Sequence, residues 1–68
     1  MAKMTLRAAR VNAGLSQYQA AEQLEISNKT LGNWETGRSY PPADKIDKIC
    51  QLYGVSYDDL TFLLKDSL

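Results

Sequence analysis

The chain has 68 residues, and its eight basic and eight acidic side chains give a formal net charge of zero. This length allows one compact domain, near the lower limit for a fold without disulfides or bound metal, and no apolar run predicts a membrane-spanning helix or a secretory leader. With a single cysteine, Cys50, and no histidine, neither an internal disulfide nor a zinc-finger ligand set can form, so we expect no cofactor and a reducing, cytoplasmic setting.

Two helices are predicted in the first third of the chain. The first runs from about Thr5 to Ala13, and Gly14 just beyond it can adopt the left-handed conformation that closes a helix. The second begins at Ser16, because its hydroxyl can accept from the free N–H groups of the first turn while Gln19 bonds back. One face of this helix is apolar and predicted to be buried, through Ala20, Ala21 and Leu24.

A third helix follows after a gap of only two or three residues. Ser27 is a second N-cap, Leu31 and Trp34 carry the apolar face, and Gly37 ends the helix. Two helices this close in sequence must cross sharply. The pair, joined by its tight turn, occupies about residues 17–36.

A loop and a fourth helix are predicted next. Residues 38–42 form a loop by composition, and Pro42 suits the first turn of a helix because its missing N–H would be unpaired there. The helix runs from about Ala43 to Tyr53, and Gly54 ends it. Its predicted buried positions are Ile46, Ile49, Cys50 and Tyr53.

A fifth helix is predicted from Tyr57 to about Leu64, opened by a third capping box formed by Ser56 and Asp59. No segment alternates apolar and polar residues in the manner of a strand. We therefore predict an all-α fold, a compact five-helix bundle in a single domain over residues 1–68. Residues 55–68 form a candidate dimerisation region, because Phe62, Leu64 and Leu68 exceed the needs of one small core.

The helix pair carries a spaced set of residues: Leu15-Ser16-Gln17, Ala21, Leu24, Ile26-Ser27, Thr30-Leu31 and Trp34-Glu35-Thr36-Gly37, followed later by the string from Tyr53 to Leu60. In these residues the chain resembles the lambdoid-repressor (Cro and CI, or Xre) helix-turn-helix family over nearly its whole length. The resemblance implies a lambda-repressor-like DNA-binding domain. One departure is Glu25, since the family commonly has Gly there to allow a positive φ, which costs other residues about 1 kcal/mol.

The resemblance also implies which residues meet DNA. In the family the second helix of the motif lies in the major groove, which assigns base reading to Ser27, Asn28, Lys29 and Asn33. Asn can pair with adenine N6 and N7, and Lys can donate to guanine O6 and N7. Gly32, in mid-helix, is either a point of close approach to DNA or a neutral loss of helix propensity.

Contacts to phosphate are assigned by the same resemblance to five residues, Gln17, Thr36, Arg38, Ser39 and Tyr40, with Lys3 and Arg7 as further candidates. Arg10 and Glu35 match positions that the family pairs, so we expect a structural ion pair between them. The alternative is that they are two unrelated surface charges.

The predicted function is sequence-specific binding of double-stranded DNA by a transcriptional regulator, a repressor of phage, mobile-element or bacterial operon type. A single such domain reads few base pairs, so we expect a homodimer on a palindromic operator. The alternative is an antitoxin-type or other protein-interaction module of the same fold, which zero net charge favours. Residues 1–38 nevertheless carry a net charge of +2 and residues 39–68 a net charge of −2, which fits a first half that faces DNA. An enzyme is not expected, because the chain has no histidine, paired carboxylates or Gly-rich phosphate loop.

Overall fold

The computed structural model describes residues 3–62, and most of these residues lie in four α-helices. In chain order the elements are strand β1 (Met4–Thr5), helices α1 (Leu6–Asn12), α2 (Gln17–Leu24), α3 (Asn28–Thr36) and α4 (Ala43–Tyr53), a short 3-10 helix (Tyr57–Asp59), and strand β2 (Leu60–Thr61).

Side-chain caps fix where the first three helices begin. The backbone N–H of Ala8 donates to Thr5 Oγ1 at 3.1 Å, and the N–H of Thr30 donates to Ser27 Oγ at 3.0 Å. At the start of α2, Ser16 and Gln19 form the predicted capping box, with reciprocal hydrogen bonds of 2.9 and 3.0 Å. These local contacts satisfy N–H groups that have no partner within the helix, and so confirm the predicted starts.

The core lies where α2 and α3 meet α1 and α4. Leu24, Leu31 and Ile49 are its largest fully buried side chains, and the aromatic rings of Trp34 and Tyr53 are also buried in it. Ala20 and Ala21 lie against this cluster with almost no exposed surface. Small side chains at these two positions let the helices of the pair approach closely.

The turn between α2 and α3 depends on Glu25, which caps α2 in the left-handed conformation with φ +60° and ψ +42°. Among residues 3–62, Glu25 alone has a positive φ without being glycine. Two further bonds hold the turn: Ile26 N–H donates to the Ala21 carbonyl at 3.0 Å, and Lys45 Nζ donates to the Leu24 carbonyl at 2.8 Å. The turn therefore keeps the geometry for which the resembled family commonly uses glycine.

The prediction of a fifth α-helix is wrong. The capping contact at its start is present, since Ser56 N–H donates to Asp59 Oδ2 at 3.0 Å, but only three residues of 3-10 helix follow. Leu60 is extended (φ −104°, ψ +143°) and 4% exposed, and β2 pairs in parallel with β1, Met4 opposite Leu60. Pairing with β1 and burial of Leu60 stabilise an extended chain here more than a further helical turn would. The described chain is therefore mostly helical with one short sheet. Leu63, Leu64 and Leu68 lie outside the described residues.

Candidate nucleic-acid interface

Helix α3 has one face fixed in the core and one face in contact with solvent. Leu31 is fully buried and Trp34 is 6% exposed, whereas Asn28 and Lys29 are exposed and Asn33 is half-buried. Within residues 3–62, the side chains of these last three residues take part in no hydrogen bond of the structure. Their amide and ammonium groups are thus available to an external partner.

Ser27, the fourth predicted base-reading residue, has a different local role. Its hydroxyl accepts the N–H of Thr30 and donates to Thr30 Oγ1 at 2.8 Å. The hydroxyl therefore serves first as the N-cap of α3. Ser27 lies at the exposed end of the helix beside Asn28, but its hydrogen is already used.

The charges on α3 suit an approach to phosphate. The helix contains two ionisable side chains, Lys29 and Glu35. Glu35 is only 8% exposed and is paired with Arg10, so the solvent-facing side of α3 presents the charge of Lys29 alone. An exposed carboxylate here would repel the phosphates that border the major groove.

Arg10 and Glu35 form a buried ion pair that joins α1 to α3. Arg10 Nε donates to Glu35 Oε2 at 2.7 Å and Arg10 Nη2 to Glu35 Oε1 at 3.4 Å, while Arg10 Nη1 donates to the Leu15 carbonyl at 2.9 Å. This forked arrangement uses the planar guanidinium on three acceptors. The two residues are brought together across 25 positions of sequence, rather than lying apart on the surface.

Gln17 extends this pair toward solvent. Its Nε2 donates to Glu35 Oε1 at 3.2 Å, and the side chain lies over Gly32, where an added Cβ would be 3.6 Å from the same nitrogen. An open depression forms at this end of the motif. It is lined by Thr5, Arg7, Gln17, Glu35 and Thr36.

The other predicted phosphate-binding residues are in different environments. Helix α3 ends at Gly37, which is in the left-handed conformation. Arg38 and Ser39 follow it and are exposed in the next loop. The hydroxyl of Thr36 donates to the Gly32 carbonyl at 3.0 Å, so it has no free hydrogen for a phosphate oxygen. Tyr40 packs its ring against Phe62, with centroids 4.9 Å apart.

An aromatic cluster, formed by Tyr40, Tyr57 and Phe62, covers the end of the described chain. The ring of Tyr57 lies 5.9 Å from Phe62, and the hydroxyls of the two tyrosines are 3.4 Å apart, which raises the pKa of Tyr40. Tyr40 is 48% and Tyr57 53% exposed. Tyr57 and Phe62 belong to the region predicted for dimerisation, residues 55–68, whereas Tyr40 joins them from the loop after α3.

Two further titratable groups are shaped by burial. Burial, followed by the nearby charge of Glu35, raises the pKa of Tyr53 to about 12, and among residues 3–62 its buried hydroxyl has no hydrogen-bond partner. Burial also raises the pKa of the Cys50 thiol, with smaller contributions from Asp47 and Asp59. The thiol therefore stays protonated, which disfavours reactivity.

No metal site or membrane span is found in the part of the chain that the structure describes. Histidine, cysteine and acidic side chains form no group of three suited to holding an ion there. None of the helices between residues 3 and 62 combines the length and hydropathy needed to cross a bilayer.

Sequence reasoning did not find the contact between Gln17 and Glu35, the aromatic cluster, or the bond from Lys45 to the end of α2. The three hydrogen bonds in these contacts, Gln17 to Glu35, Tyr40 to Tyr57 and Lys45 to Leu24, each join residues at least 17 positions apart. Nothing in their local spacing indicates the partner. Arg7 and Gln17 were separate candidates in sequence. The structure places both on one depression.

Comparison with known proteins gives consistent matches. A family model described as helix-turn-helix matches residues 6–60. The HTH-type transcriptional regulator ImmR of Bacillus subtilis (strain 168) is 44% identical over 55 residues, which are 81% of this chain and 43% of that protein. The HTH-type transcriptional activator BcrR of Enterococcus faecalis is 34% identical over 55 residues, 81% of this chain and 27% of that protein. The matched segment thus spans less than half the length of either relative.

Proposed function

Because this chain belongs to the Xre and Cro-like helix-turn-helix family of DNA-binding transcriptional regulators, we propose that it binds a specific double-stranded DNA sequence with α3 in the major groove. One observation carries the proposal. Helix α3 is held in the core by Leu31 and Trp34, and its opposite face presents polar side chains with no exposed acid.

Base reading is assigned to the free side chains at the start and middle of α3. Asn28 can form a paired contact with adenine, and Lys29 can donate to guanine, each contributing about 1 to 3 kcal/mol of discrimination. Asn33 lies one turn further along the same helix and extends the reading surface. Ser27 contributes mainly by capping α3, and its hydroxyl oxygen keeps one lone pair that can accept a hydrogen bond from a base.

Phosphate binding is assigned to residues on both sides of α3. Gln17 at the start of α2 and Arg38 with Ser39 after α3 have polar groups that can bind the DNA backbone. Thr36 and Tyr40 are secondary ligands in this proposal, because the hydroxyl of each already has a partner within the protein. Such contacts set the position of α3 without reading sequence.

Selection of bound sites from a random pool of duplexes tests the proposal directly. We expect a recurrent sequence to be enriched. Failure to enrich any sequence, with binding equal on all duplexes, would contradict sequence-specific recognition.

Variants then separate base readers from phosphate ligands by titration on the selected duplex and on random DNA. Asn28→Ala and Lys29→Ala are each expected to lower the ratio of specific to nonspecific affinity by about tenfold or more. Arg38→Ala is expected to weaken binding to both DNAs alike and to reduce its salt dependence. Gln23→Ala, an exposed polar change on α2, is the matched control and should alter neither. An unchanged ratio for Asn28→Ala and Lys29→Ala would show that base reading lies elsewhere.

We further propose that two copies bind a palindromic operator, with half-sites about 34 Å apart. The exposed aromatic area of Tyr57 and Tyr40 favours the surface around Phe62 as the contact between copies. Sedimentation equilibrium with and without operator should detect a dimer, weakened by Tyr57→Ser but not by Tyr18→Ser, a change at another exposed tyrosine. A monomer in both conditions would rule out this arrangement.

Repression is the proposed regulatory outcome, because occupation of an operator within a promoter excludes polymerase without any further contact. A reporter driven by a promoter containing the selected site should lose expression when the chain is supplied. Increased expression would identify it as an activator, which is how the Enterococcus faecalis relative is named.

A further inference from the structure

We propose that Glu35 is a positioning residue for DNA binding, because it fixes the amide of Gln17 so that one N–H points to a DNA phosphate. This inference rests on the proposed function. It gives the buried ion pair of Arg10 and Glu35 a role in recognition in addition to its role in joining α1 to α3.

The two oxygens of the Glu35 carboxylate accept their shortest hydrogen bonds from different partners. Oε2 accepts the shorter bond from Arg10, at 2.7 Å, while Oε1 accepts from Gln17 Nε2 at 3.2 Å. Arg10 and Glu35 are 7% and 8% exposed, so the carboxylate cannot swing away into solvent. Glu35 thus offers Gln17 an acceptor in a fixed place.

The Gln17 amide has one favourable orientation between Glu35 and a phosphate. An ionised carboxylate and a phosphate are both acceptors only, so a group that lies between them must present donors to both. The amide nitrogen carries two hydrogens, and one is donated to Glu35 Oε1. The second remains for a phosphate, and an amide turned the other way would place its oxygen against both anions.

The Gln17 amide also lies beside the candidate interface. It lies over Gly32 on α3, on the helix that carries Asn28 and Lys29, and it faces an open depression that also includes Arg7. Half-exposed Gln17 therefore connects a buried charge pair to the candidate interface. Arg10 neutralises Glu35, which would otherwise repel a phosphate in this depression.

The test removes the charge pair without leaving a lone buried charge. In the double variant Arg10→Met with Glu35→Leu, both charges are replaced by apolar side chains, a change that is often neutral for stability. Binding is measured on the selected duplex, with a single uncharged methylphosphonate placed in turn at each backbone position. For the wild-type chain we expect one backbone position at which the methylphosphonate weakens binding about tenfold. For Gln17→Ala we expect no effect of the methylphosphonate at that position.

A positioning role predicts that the double variant loses sensitivity at that position and keeps it at the other contacted phosphates. A purely structural role predicts that a folded double variant keeps sensitivity everywhere, and this result would overturn the proposal. Glu35→Gln is the conservative variant. A glutamine has one acceptor oxygen, which Arg10 takes because its bond to Glu35 is the shorter, so an NH2 group would face Gln17 and could not accept from it. The sensitivity should therefore be lost, and sensitivity kept in a folded Glu35→Gln protein would also overturn the proposal.

The outcomes distinguish this inference from the function on which it rests. If the chain binds its selected site but no methylphosphonate distinguishes wild type from Gln17→Ala, then Gln17 is not a phosphate ligand and this inference fails alone. If no specific site can be selected, both fail. Thermal unfolding of each variant shows whether it is folded, and Glu35→Gln decides the question if the double variant is not.

Discussion

Replacing Gly32 by alanine should stabilise the fold and weaken DNA binding. Glycine in a helix interior costs roughly 0.5 to 1 kcal/mol relative to alanine. The added Cβ would meet Gln17 Nε2 at 3.6 Å and Gln17 Oε1 at 3.9 Å, which are ordinary van der Waals distances. The protein therefore has space for the methyl group, and the gain in helix propensity should be realised in full.

The opposite effect on binding follows from the position of Gly32. It lies one turn after Asn28, next to Asn33, on the half-exposed side of α3. A methyl group forced into a close interface typically costs about 1 to 3 kcal/mol, which corresponds to a loss of about 5- to 160-fold in affinity. The same substitution should thus move stability and affinity in opposite directions.

Two measurements decide this prediction. Thermal unfolding of Gly32→Ala should show a rise in Tm of about 2 to 8 °C for a domain of this size. Titration of the selected duplex should show the loss of affinity, while Gln51→Ala, an exposed change on α4, leaves it unchanged. Undiminished affinity of Gly32→Ala would refute the close approach of α3 to DNA and make Gly32 a neutral loss of helix propensity.

Three further changes test the fold. Arg10→Ala leaves the buried carboxylate of Glu35 without its partner and should lower the free energy of unfolding by about 3 to 5 kcal/mol in urea titrations; a loss below 1 kcal/mol would mean that the pair behaves as surface charges. Glu25→Gly removes the cost of a left-handed non-glycine residue at φ +60°, but glycine also gives the unfolded chain more conformational entropy, which offsets part of this gain. The free energy of unfolding should therefore rise by about 0.5 kcal/mol, and a decrease would contradict strain at this turn. The pKa of Tyr53 is about 12 in the folded chain against 10.0 for the ordinary group, so its contribution to stability is fully present below pH 10 and is lost between pH 10 and about pH 12. Tyr53→Phe should remove that loss, and an unchanged pH profile would show that another group is responsible.

The helix starts could be predicted from the sequence because the signals that fix them are local. A hydroxyl at Ser16 or Ser27 meets an N–H only three residues away, so spacing alone indicates the contact. The buried face of α3 follows in the same way from the spacing of Leu31 and Trp34. The family resemblance then placed Arg10 opposite Glu35, which spacing within one helix could not do.

The structure at the end of the described chain could not be predicted, because it depends on a contact that is distant in sequence. Ser56 and Asp59 give a correct local signal for the start of a helix, but its continuation competes with pairing to a strand far away in sequence. Strands of two residues show no alternation of apolar and polar positions. The hydrogen bond from Gln17 to Glu35 was missed because it depends on how α2 crosses α3.

The pairing of β1 with β2 also has a consequence for how the domain opens. Met4 lies opposite Leu60, so the ladder joins the two ends of the described chain and closes a long loop, at a cost in conformational entropy. A ladder of two residues returns few hydrogen bonds for that cost. We therefore expect the amides of β1 and β2 to exchange with deuterium faster than those of α3, by opening that leaves α2 and α3 folded. Local unfolding of this kind would begin at the joined ends, while α3 remains ordered.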